Sequence, residues 1–233
     1  MARKTKRRQS PRATEAGAGG SNRDRAITSF MALLAEHSFE DIGLSQIASD
    51  AGLSLADLRA EFSSTLSILA AHIKEIDREV LAGIDADMAE ESPRERLFDV
   101  LMRRLEILAP HKEAIRSLLR SASRNPGLAL ALTGLAVRSQ QWMLTAADIG
   151  ASGPKGMLRS QGLALLFANV LRTWVNDDDD GHAKTLAALD RELARGQRFV
   201  GLLDELCKLP ERVRSMTQRP RRTARRGRER AAA

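Results

Sequence analysis

Gly52 constrains this chain more than any other residue. It sits between two short runs in GLSQIASDAGLSLADLRAEF, residues 43–62, each carrying apolar side chains at helical spacing. Leu44, Ile47 and Ala48 predict a buried face on a helix over 44–51, and Ser54 is placed to cap a helix ending near Phe62. A glycine between them permits a positive-φ turn, which Leu53 plugs. Ahead of the pair, residues 23–37 predict a first helix whose Ile27, Phe30, Met31 and Leu34 follow the i, i+3, i+4, i+7 rule.

The rest of the chain repeats this helical spacing and shows no strand alternation. Aromatic residues make up 3% of the sequence and tyrosine is absent, which argues against a large β-sandwich; Leu, Ala, Arg and Glu dominate and favour helix. The fold class expected is all-α. Leu66, Leu69, Ile73, Ile76 and Val80 predict a long fourth helix capped by Ser63 or Ser64. Ser92, Pro93 and Glu95 set out a cap, a first-turn proline and a capping-box partner for a helix reaching about Leu108. Further helices are expected over 110–124, 127–148, 157–175 and 182–207, with GASGPKG as a breaker.

Charge divides the chain. The formal net charge is +7, yet residues 1–25 carry +6 and residues 208–233 carry +8, which leaves −7 on 26–207. Both ends are rich in Arg, Pro, Gly and Ser and poor in large apolar groups, so little burial would offset their ordering. The division predicted is a basic arm over 1–22, a first domain over 23–80, a second over 81–207 and a basic tail over 208–233. Cys207 is the lone cysteine, no apolar targeting segment follows the basic start, and no long charge-free apolar run is present. A cytoplasmic protein without a transmembrane segment is expected.

Three small helices with a glycine-bearing second turn form the helix-turn-helix scaffold that sets a recognition helix into the major groove. Here the stretch FMALLAEHSFEDIGLSQIASDAGLS, the spacing of Ala48, Gly52 and Leu58, and Phe62 resemble the tetracycline-repressor (TetR) family of transcriptional regulators over about residues 24–80. The resemblance implies DNA as partner, a homodimer paired through the last two helices, and DNA contacts at Gln46, Ser54, Leu55, Ala56, Asp57 and Arg59. The recognition surface departs from the family pattern, which usually has a basic residue and a glycine after the turn. Residues 26–75 hold Arg59 and Lys74 against seven carboxylates. Since affinity for DNA rests on phosphate neutralisation, two readings stand. Either the basic arms supply the electrostatics, with Asp57 or Glu61 accepting from a cytosine amino group, or the scaffold serves another function.

A second resemblance lies in ERLFDVLMRRLEILAPHKEAIRSLLR and LRTWVNDDDDGHAKTLAALDREL, which look like the helical lipid-binding accessory proteins of ubiquinone biosynthesis, themselves TetR-like in fold. It implies an isoprenoid or other lipid ligand. Those proteins carry an aromatic-rich segment where this chain has ASGPKGMLRSQG.

Trp142, Met143, Phe167 and Trp174 are the candidate lining of a cavity for a small apolar or lipid ligand. Gly162, Leu163, Leu166, Phe167, Val170 and Leu171 form an apolar face suited to the core or to a two-fold seam. In the run Asp177–Asp180 the twelfth position of a calcium loop would be Ala187, so it reads as a solvated turn whose last aspartate caps the final helix. The four histidines have no metal-ligand spacing, and no phosphate loop or nucleophile motif occurs. No catalytic residue, metal or cofactor is expected.

Overall fold

The computed structural model describes residues 20–85, 88, 90–179 and 181–198. The α-helices are α1 (Asn22–Glu36), α2 (Leu44–Asp50), α3 (Leu55–Glu61), α4 (Thr65–Ala82), α5 (Pro93–Leu108), α6 (Lys112–Arg124), α7 (Pro126–Ala146) and α8 (Gly153–Trp174), followed by α9 over 183–198. Short 3-10 turns, Phe39–Asp41 and Ala109–His111, precede α2 and α6. No strand occurs among the described residues, and no helix among them is long and apolar enough to cross a membrane. The basic arm over 1–19, the tail and the end of the last predicted helix lie outside the described residues.

Local sequence sets the helix starts. Ser-x-x-Asp or Ser-x-x-Glu opens α1, α3 and α5, and each forms a reciprocal capping box: Ser21 with Asp24, Ser54 with Asp57, Ser92 with Glu95. A cap of this kind stabilises its helix by about 1 kcal/mol. Ser64 rather than Ser63 caps α4, its Oγ accepting from the Ser67 amide at 3.2 Å while the Ser67 hydroxyl accepts from the Ser64 amide. Helix α8 begins four residues earlier than expected because Pro154 sits in its first turn, where its missing N–H breaks no bond. Gly156 is needed there, since a Cβ would lie 2.1 Å from the Ala151 carbonyl carbon. Asp180, the expected cap of the final helix, lies outside the described residues, while Asp177 is not the solvated residue expected of the run. Asp177 is fully buried, and its Oδ2 accepts from the Thr185 amide at 2.9 Å and hydroxyl at 2.7 Å. These bonds hold its pKa below the ordinary carboxylate value, and they let it cap α9 from eight residues upstream.

The described residues form two compact units, one of residues 20–75 with 110–125 and the other of the described residues from 76–109 with those from 126–198. The boundary expected at 80 therefore falls inside α4, and α6 joins the first unit. The reason is specific: the Ser117 hydroxyl donates to the His37 carbonyl at 2.7 Å, and the Phe39 amide donates to Ser121 Oγ at 3.1 Å. Asn125 donates to Glu40, and Phe30 meets Phe39 edge-to-face. Helix α6 thus ties off the end of α1 and fixes the turn that leads to α2.

In the second unit α7 packs along α8 and against α5. Its interior holds an ion pair between Arg104 of α5 and Asp77 of α4, both buried, with the Ser139 hydroxyl of α7 donating to Asp77 at 2.7 Å. Phe167 of α8 lies under the guanidinium at 5.6 Å, and Met143 Sδ is 3.9 Å from Arg104 Nη1. Four helices therefore converge on one buried charge pair.

Candidate nucleic-acid interface

The turn between α2 and α3 is built twice over. Gly52 has φ +61°, its amide donates to Ser49 at 3.1 Å, and the Leu53 amide reaches back to Ala48 at 2.8 Å, the paired bonds of a Schellman ending. Helix α1 then grips the turn from outside. One guanidinium nitrogen of Arg25 donates to the carbonyls of both Ala51 and Gly52, groups the helix end leaves without intrahelical partners. One turn along α1, the buried Ser29 hydroxyl donates to Asp50 at 2.7 Å and lies 3.3 Å from the Ile47 carbonyl. Ile47, Leu58 and Phe62 fill the space beneath. Arg25 and Ser29 were not among the residues singled out from the sequence; their partners lie 18 to 27 positions away, beyond any local pattern.

With its inner side held, α3 turns the rest of its surface outward. Ser54, Leu55, Ala56, Asp57, Arg59, Ala60 and Glu61 are exposed, and so is Gln46 on α2. The predicted contact residues are all exposed, in two different conditions. Ser54 and Asp57 are engaged with each other: Ser54 Oγ lies 2.6 Å from Asp57 Oδ2, which also accepts the Ser54 amide at 3.3 Å. Leu55, 56% exposed, projects freely. Arg59 Nη1 is 3.4 Å from the Phe62 carbonyl. Leu44, expected to be buried, is 37% exposed because it occupies the first position of α2, ahead of the buried Ile47 and Ala48.

The charge of this unit is milder than that of residues 26–75 alone. Arg23 and Arg25 on α1, and Lys112, Arg116, Arg120 and Arg124 on α6, bring the total for residues 20–75 with 110–125 to −1. Arg23 stacks on Phe62 at 5.1 Å, and Arg116 pairs with Glu113. His72 and His111 meet edge-to-face at 4.6 Å between centroids; burial holds the His111 pKa below its ordinary value.

No protein-family model and no curated protein sequence matches the chain. Solved structures do. A TetR transcriptional regulator from Nitrosomonas europaea aligns with TM-score 0.59 and 21% identity, covering 75% of this chain and 97% of the other. A TetR-family regulator from Streptomyces coelicolor aligns with TM-score 0.53 and 17% identity over 83% and 88%. The fatty acid degradation regulator FadR from Bacillus halodurans gives 0.53 and 17% over 75% and 96%. The chain has the TetR fold.

Within this TetR-type chain the four predicted cavity residues do not line one space. Met143, Phe167 and Trp174 are buried in the second unit, two of them against Arg104, whereas Trp142 is 58% exposed. Successive helix residues point about 100° apart, so Trp142 and its neighbour Met143 face different ways. Trp142 instead borders a shallow depression with Thr145 and Met157. The larger opening is a groove of about 720 Å³ lined by Leu97, Leu144, Leu158, Leu163, Leu166 and Leu193 together with the charged Arg94, Asp148, Lys155, Arg159, Glu192 and Arg195. Of the predicted seam, Leu163, Leu166, Phe167 and Val170 are core, while Gly162 is exposed.

Proposed function

We propose that this chain is a DNA-binding transcriptional regulator in which α3 reads the major groove. The observation that carries the reading is the grip of Arg25 and Ser29 on the α2–α3 turn, which presents one unobstructed face of α3. Gln46, Ser54, Leu55, Ala56, Asp57 and Arg59 are the contact surface in this reading. The basic arms supply salt-sensitive phosphate contacts that the near-neutral unit lacks.

Two copies pair through α8. Leu158, Gly162, Leu165, Asn169 and Arg172 recur at intervals of four and three along its exposed side, and the first four also line the leucine-walled groove, so the pairing surface and the ligand site adjoin. A small apolar ligand in the leucine-walled groove shifts the dimer between a DNA-competent and a released state. Repression or activation then follows from where the site lies.

The test is selection of bound genomic fragments at near-physiological salt with competitor DNA, using the full chain beside a chain trimmed to 22–208. Recovery of one shared motif supports α3 as reader with the arms as amplifiers. Binding by the full chain alone and without a motif overturns it, and favours a lipid-binding accessory protein of the same fold.

A further inference from the structure

The acidic recognition helix raises a question of chemistry: what can its exposed edge recognise? Ser54 Oγ and Asp57 Oδ2 are already bonded to each other in the capping box, which commits these two groups to the helix start. Asp57 is also suited to that place by the positive end of the helix. Between them Leu55 and Ala56 stand in solvent, and Leu55 leaves 56% of its surface in water. First-turn side chains of a recognition helix are the ones that reach base edges. Among those edges the apolar group in the major groove is the C5 methyl of thymine.

We infer that Leu55, supported by Ala56, recognises thymine methyl groups, so that the selected site holds a thymine at a fixed position in each half-site. This rests on the reading of α3 as the DNA-contacting helix. The contact is made by side chains and needs no anion at the helix end. Asp57, through Oδ2, holds the helix start from which Leu55 projects. Arg59, one turn further on, supplies the basic contact.

Uracil differs from thymine by the methyl alone, which makes the test direct. Each thymine of the selected site is replaced in turn by deoxyuridine, and binding of the full chain is compared with that of Leu55→Ala, whose exposed position leaves the fold intact. The expected result is one position per half-site where uracil weakens wild-type binding about fourfold, the effect of removing one buried methyl. In Leu55→Ala that penalty disappears, so the two changes are coupled rather than additive. A motif in which every thymine accepts uracil without loss overturns the inference alone. So does a uracil penalty that persists undiminished in Leu55→Ala. Failure to select any motif defeats the DNA-reading proposal and the inference with it.

Discussion

Arg25 and Arg104 show how the two units use the same side chain differently. Arg25 lies at the edge of the first unit and donates to two backbone carbonyls; Arg104 lies inside the second and meets the carboxylate of Asp77. The first arrangement fixes backbone geometry with no second charge to desolvate. The second neutralises a charge that could not otherwise be buried, and it draws Ser139, Met143 and Phe167 around it. A guanidinium on carbonyls therefore positions a surface element, while a guanidinium on a buried carboxylate is a condition of packing.

This contrast predicts a ranked set of effects. Arg104→Ala leaves Asp77 buried without its cation and costs about 3–5 kcal/mol, measured by denaturant unfolding. The double change Arg104→Met with Asp77→Leu recovers most of that loss, because no charge remains to be paired. Arg25→Ala removes two charge-assisted bonds and costs about 2 kcal/mol. Its distinguishing sign is loss of selected-site DNA affinity beyond any change in the melting temperature.

Gly52→Ala strikes the same grip from the other side. The new Cβ would lie 2.8 Å from Arg25 Nη2, so it disturbs the bonds to the Ala51 and Gly52 carbonyls and adds the cost of the positive φ, about 1–2 kcal/mol, read by thermal unfolding. The smallest effect is that of pH. His111 has its folded pKa lowered by burial, from an ordinary value of 6.5, so the unfolded chain takes up its proton first as pH falls. Stability from this group is full above 6.5 and declines below it, and His111→Gln flattens that part of the profile.

Much of the fold was legible because its signals are local. Ser92, Pro93 and Glu95 announce α5 within four positions, and Gly52 announces the turn. The place of α6 was not legible, since it depends on a Ser117 hydroxyl finding the His37 carbonyl 80 residues away. The candidate interface was legible as a segment but not as a mechanism. Asp57 reads as an acidic anomaly until its oxygen is found on Ser54, and the grip of Arg25 has no local signature. Around Trp142 and Met143 apolar composition suggests a common lining, but adjacent residues of one helix point about 100° apart. The groove takes its walls from α5, α7, α8 and α9 instead.

The most direct test of the central claim is the affinity of the full chain for its selected fragment, in competitor DNA, beside the double variant Leu55→Ala, Arg59→Ala. Both side chains are exposed on α3, so the variant keeps the unfolding transition of the wild type. If α3 is the reader, the variant's specific affinity falls to the level of competitor binding while the salt-sensitive non-specific binding is retained. Unchanged specific affinity would move the reading surface away from α3.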